Sequence, residues 1–206
     1  MTGQHPESGR LRRTVILVAG LNLVGFAVEV GVAVSIGSVA LFADSVDFLE
    51  DTSINLLIAM AIGFPLARRA AAGRLLAGII LLPALAAGWQ AISKVGDPVA
   101  PDVTALLLTA AFAAVVNAIC AVLLTRVRHH AGSLSAAAYL SARNDVAVNL
   151  AIIVMAGVTA WTGSGWPDIA LGLVIVALNV TAAREVWALA GEERLAARAL
   201  AGEDLD

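Results

Sequence analysis

Ser38-Val39-Ala40-Leu41-Phe42-Ala43-Asp44-Ser45-Val46-Asp47-Phe48-Leu49-Glu50-Asp51 opens an apolar run that continues to about Ile62, yet it holds four acidic side chains. A run of this length can cross a bilayer. The hydrocarbon is about 30 Å thick and a helix rises about 1.5 Å per residue, so roughly 20 apolar residues suffice. A charge inside such a run is costly, and by default it marks a pathway or a partner. At about 100° per residue, Asp44, Asp47 and Asp51 share a helix face roughly 60° wide, while Glu50 points further round. Carboxylates stacked this closely repel one another. A cation between them relieves the repulsion, and so do protons on some of them. Exchange between those two conditions is what a proton-coupled cation site requires.

Outward from this stretch the chain divides into six apolar runs, at about Thr14–Ser35, Ser38–Ile62, Gly73–Ile92, Val103–Thr125, Leu134–Trp161 and Pro167–Leu189. Gly, Pro and charge mark the breaks at Ile36-Gly37-Ser38, Phe64-Pro65, Gly96-Asp97-Pro98, Arg126–Gly132 and Thr162–Pro167. Helices are expected, because lipid leaves open backbone groups unsatisfied and the runs are too long and too continuously apolar for barrel strands. The expected fold is an all-α membrane protein of six transmembrane helices. Residues 1–13 form an N-terminal segment, 14–190 the transmembrane unit and 191–206 a short tail. The 206 residues are 60% hydrophobic and 14% charged. That composition excludes an ordinary soluble domain and a disordered chain. A net charge of −3 offers no general basic surface for nucleic acid. The lone Cys120 excludes an intramolecular disulfide and a cysteine-rich zinc cage.

Lys and Arg set the orientation. With the N-terminus inside, the inner segments carry Arg10, Arg12, Arg13, Arg68, Arg69, Arg74, Arg126, Arg128, Arg184, Arg194 and Arg198, and the outer loops carry Lys94 alone. Both termini are therefore expected in the cytoplasm. The first run includes Asn22 and Glu29 and has no A-x-A site, so it reads as a span rather than a signal peptide.

The fifth run carries Ser141-Ala142-Arg143-Asn144-Asp145-Val146-Ala147-Val148-Asn149, in which Ser141, Asp145 and Asn149 lie on one flank at i, i+4, i+8. Spans two and five run in opposite senses. Counted from the inner face, Asp47 and Asp145 both fall about 16–18 Å up, and Asp51 and Ser141 about 10–12 Å. If the two helices touch, these flanks form one mid-membrane cage of oxygens. On span one, Glu29 falls near the level of Asp44 and Asn22 near that of Asp51, placed to line the outer and inner approaches.

The stretch Gly37–Asp51 resembles the second-span signature of the cation diffusion facilitators, in which a (H/D)-x-x-x-D motif on span two meets another on span five. Asn22, Glu29, Val116-Asn117, Trp166-Pro167-Asp168 and the six-span layout are similar to that family too. The resemblance implies that Asp47 and Asp51 take the span-two ligand positions and Asp145 the second position on span five. It implies export of a divalent metal in exchange for protons. Zinc stands first, with Mn²⁺, Co²⁺, Fe²⁺ and Cd²⁺ as further candidates. The ion is cargo and no cofactor is expected. A bacterial cytoplasmic membrane and a homodimer follow from the same resemblance.

The chain departs from the family pattern in three ways. The first span-five position, usually His or Asp, is Ser141, a poor ligand that leaves a fourth donor to come from Asp44, Asn144, Asn149 or water. Arg143 stands inside the motif, roughly 160° away from Asp145, where Glu50 is a candidate partner. The usual cytoplasmic metal-sensing domain has no counterpart. All-carboxylate sites also suit harder ions such as Mn²⁺, whereas imidazole favours Zn²⁺.

Other residues have plainer readings. Cys120 reads as packing, and Trp89, Trp161, Trp166 and Trp187 as interfacial anchors. His129 and His130 read as a solvated pair in a basic loop. Asp168 reads either as a cation-attracting group or as a first-turn acid at its own helix N-terminus. No intramembrane Ser/His pair and no H-E-x-x-H motif is present, so no enzyme is expected. The rival reading is a non-transporting subunit or metal sensor whose acids only hold helices together.

Overall fold

A computed structural model of the chain describes residues 5–61, 65–127 and 133–200. It contains six helices: α1 (His5–Ile36), α2 (Val39–Ala61), α3 (Leu66–Lys94), α4 (Val103–Thr125), α5 (Ser133–Thr162) and α6 (Trp166–Leu200). No strand occurs among the described residues. Five of the helices, all but α2, are long and apolar enough to cross a membrane. α2 has the length, at 23 residues, but its acids set it apart. It lies against α1, α3, α5 and α6, so its polar flank is turned to protein.

The exterior and interior are inverted relative to a water-soluble protein. Leu82, Leu108, Val154 and Trp161 are more than two-thirds exposed, while Asn22, Glu29, Asp44, Asn149 and Asn179 are buried. An apolar outside around a polar inside is the arrangement lipid demands. With the five apolar helices, it identifies an integral membrane protein.

The helices form two groups. α1, α2, α5 and α4 close a ring of neighbours, and α3 pairs with α6, which leans on both α2 and α5. Small residues permit the closest approaches. A Cβ on Gly25 would stand 2.5 Å from the Phe48 ring, and one on Gly172 would stand 2.9 Å from the Ala40 backbone nitrogen. Lipid-embedded helices associate through this kind of packing.

Sequence punctuation fixes the end of the bundle opposite the arginine-rich one. Gly37 adopts φ 69° and ends α1 in a Schellman turn, with Ser38 N donating to the Ala33 carbonyl at 3.0 Å. The Lys94 ammonium donates to the Gly37 carbonyl, so this cation closes the end of α1. Ser38 begins α2 as an N-cap, its hydroxyl accepting from Leu41 N at 3.1 Å. Asp102 caps α4 by accepting from Ala105 N at 2.7 Å.

The helices overrun the apolar stretches at the basic end. α1 begins at His5 rather than near Thr14, α3 at Leu66 rather than near Gly73, and α6 continues unbroken past 190 to Leu200. A helix has no reason to stop where the hydrocarbon stops. The overhangs are rich in Ala, Leu, Arg and Glu, which favour helix in water. Trp89, Trp161, Trp166 and Trp187 are all substantially exposed, in keeping with anchoring at an interface.

Candidate metal centre

α2 and α5 touch, and the levels counted along the two helices meet as read. At the inner level, Asn22 Nδ2 of α1 donates to Asp51 Oδ2 of α2 at a long 3.4 Å, and Ser141 of α5 lies beside the same carboxyl. At the middle level, Asp145 is the charge that acts most strongly on Asp47. At the outer level, Glu29 of α1 and Asn149 of α5 flank Asp44. Three helices therefore contribute oxygens to one polar core.

Burial separates these groups. Glu29, Asn22 and Asn149 are fully buried, and Asp44 and Asp51 are 1% exposed. Asp145 retains 8% and Asp47 is half-buried. Asp47 and Asp145 therefore keep more accessible surface than Asp44 and Asp51.

The core has more acceptors than donors. Both oxygens of Glu29, both of Asp44 and Oδ1 of Asp51 are buried without a hydrogen-bond partner. The amides add to the excess. Asn149 gives its Nδ2 hydrogen to the Asp145 carbonyl at 2.9 Å, and Asn55 gives its own to the Asp51 carbonyl at 2.8 Å. The side-chain oxygens of both are then left unpartnered. Buried polar atoms are normally paired, because an unpaired one costs about 1–3 kcal/mol. A set of unpaired acceptors with no cationic side chain among them suits a cation or protons. Among the described residues, no three His, Cys, Asp or Glu side chains are already gathered as a ligand set.

Other predicted residues fall elsewhere. Arg143 and Asn144 are exposed. Neither belongs to the core, and Asn144 drops out as a fourth donor, leaving buried Asn149 as the amide that faces Asp44. Glu50 does not find Arg143; the charges acting on it are Asp51 and Glu185. Asn144 faces out although Asp145 faces in, since neighbouring positions on a helix diverge by about 100°. Asp168 is not a cation attractor at the surface. It is the first-turn acid of α6, as read, but it is fully buried and accepts from Ser38 Oγ at 2.6 Å, Val39 N at 2.7 Å and Ala40 N at 3.2 Å, so its carboxyl also caps α2. His129 and His130 lie outside the described residues.

Two contributors carried little signal in the sequence. Cys120 is buried in α4 as expected for packing, but its thiol also donates to Asn22 Oδ1 at 3.4 Å. That bond ties α4 through Asn22 to Asp51. Asn179 of α6 donates to the Ala43 carbonyl at 2.7 Å, fixing the α2 backbone next to Asp44. Neither partner is within reach of a local motif, so only the fold reveals them.

No protein-family model matches the chain, and no curated protein matches it.

Proposed function

We propose that this chain moves a divalent metal cation across the membrane in exchange for protons, in the manner of the cation diffusion facilitators that its second span resembles. The observation that carries the reading is the excess of unpartnered acceptor oxygens on Glu29, Asp44 and Asp51, buried beside the facing pair Asp47 and Asp145. Glu29 and Asp47 crowd against Asp44, yet none of the buried oxygens of Glu29 and Asp44 has a donor. A packing role would supply donors to such oxygens, and their lack favours transport over the packing role of a silent subunit.

The mechanism follows from charge. With the core open to the cytoplasm, Asp47, Asp51 and Asp145 give up protons and take M²⁺, with Asp44, Ser141 or Asn149 completing the oxygen shell. Neutralisation lets the loaded core pass through a state closed to water, where bare charge is costly. The ring of α1, α2, α4 and α5 then shifts against the α3–α6 pair and opens the core outward. Protons entering the carboxyls release the ion, and the protonated core returns. Zn²⁺ remains the first candidate through the resemblance. The all-oxygen shell argues for Mn²⁺ beside it, with Co²⁺, Fe²⁺ and Cd²⁺ following.

Flux into inverted vesicles or proteoliposomes tests the reading. Asp47→Ala and Asp145→Ala are expected to lower metal uptake at least tenfold while leaving the protein folded. Wild-type flux in both variants would refute the assignment. Stoichiometric metal binding with no flux in the native protein would favour the sensor reading instead.

A further inference from the structure

At the basic end of the bundle, a surface pocket of about 690 Å³ lies between the start of α3 and the end of α6. Arg74, Arg194 and Arg198 line it, over a floor of alanines that includes Ala67, Ala71 and Ala197. The alanines keep the floor low, so a bulky group can approach the helix backbones. Glu192 and Glu193 of the same stretch of α6 are not among the lining residues. The pocket also meets the N-terminus of α3, whose N-cap Pro65 offers no side-chain cap. Uncapped N–H groups and the helix dipole add positive potential there.

Arg74 is the pivot. Its guanidinium carbon sits 5.6 Å from the centre of the Trp187 ring, which steadies the side chain through a cation–π contact. Its Nε is buried with no hydrogen-bond partner. A positioned guanidinium with an unspent donor suits a phosphate or carboxylate. The level of the pocket selects among such anions. The apolar span of α3 begins at Ala70, so lining residues 67–74 straddle the boundary between hydrocarbon and headgroups. Exposed apolar side chains adjoin Arg74, with Leu75 67% and Trp187 55% exposed. An acyl chain gains contact on that surface, and a free phosphate gains none.

We infer that this pocket binds the phosphate headgroup of an anionic phospholipid, held chiefly by Arg74 and Arg194, with its acyl chains on the α3–α6 surface. The inference goes beyond metal transport and does not depend on it.

Titration of the purified full-length protein in detergent, followed by thermal melting, tests the site. The probes are phosphatidylglycerol, phosphatidylcholine with the same chains, and inorganic phosphate. Phosphatidylglycerol is expected to bind at least fivefold more tightly than phosphatidylcholine. One basic residue at a membrane surface is worth about fivefold in affinity, so Arg74→Gln and Arg194→Gln should each weaken phosphatidylglycerol binding by about that factor. Arg194 is exposed near the end of α6, so its replacement tests the site even if Arg74→Gln lowers stability through the lost Trp187 contact. Arg143→Gln, on exposed α5 surface, should bind both lipids as the native chain does. Equal affinity for the two lipids, or an Arg194→Gln variant that binds phosphatidylglycerol unchanged, would overturn the inference. Inorganic phosphate that matches phosphatidylglycerol would overturn it in favour of a soluble anion.

Discussion

Asp168 spends its carboxyl on a helix that began 129 residues earlier in the chain, bonding Ser38 Oγ and the backbone nitrogens of Val39 and Ala40. Every α-helix begins with unsatisfied N–H groups, and here no water reaches them because Ser38, Val39 and Ala40 are fully buried. Asp168→Ala leaves these donors without an acceptor and is expected to cost roughly 2–4 kcal/mol. Thermal unfolding in detergent would read this as a drop of several degrees, and Asp168→Asn, which keeps one acceptor oxygen, should fall between. This role was invisible in the sequence, where spacing relates a residue only to its own helix. The opposite holds for Asp44, Asp47, Asp51 and Asp145. Their grouping was legible because regular rise and turn carry position along a helix into position in space, and α2 and α5 run antiparallel in contact.

At the scale of elements, α2 is set by how near its neighbours can come. Gly172 of α6 meets the backbone of Val39 and Ala40, whereas Gly25 of α1 meets the ring of Phe48. A backbone cannot step aside, while a buried ring can shift slightly. Gly172→Ala should therefore destabilise more than Gly25→Ala, both within the range of about 1–3 kcal/mol for overpacking. Gly78→Ala in α3 meets nothing within 4 Å and should be neutral or slightly stabilising through helix propensity. Melting temperatures of the three variants check the order. The apolar runs and their breaks identified all six helices, but not their ends at the basic side. Hydropathy reports where lipid begins, and these helices continue into water on propensity alone. A sign of which helices touch was present only for α2 and α5, whose polar flanks match in level. The α3–α6 pair has no such mark.

At the scale of the whole molecule, the ring of α1, α2, α5 and α4 holds the acids and the α3–α6 pair holds none of the core carboxyls. If protons and metal share the core, an inward-directed proton gradient should drive metal outward. In proteoliposomes, dissipating that gradient with a protonophore should lower flux at least fivefold, and unchanged flux would remove the antiport step. Lowering pH on both sides without a gradient should weaken metal binding, because protons and the ion compete for the same oxygens.

The unpaired oxygens of Glu29, Asp44 and Asp51 also bear on how well the fold holds together. Left without donors they work against the native state, so under the proposed function a bound ion would act as a strut as well as a passenger. By mass action, an ion at a hundred times its dissociation constant adds about 2.7 kcal/mol to the stability of the form that binds it. Melting the solubilised protein against a panel of divalent ions would therefore rank the candidates before any vesicle is made. The ion that raises the transition most should be the one carried, and the rise should vanish in Asp145→Ala. In a cell starved of that metal, unliganded chains would be the first to meet the quality-control proteases, tying the amount of protein to the supply of its own cargo.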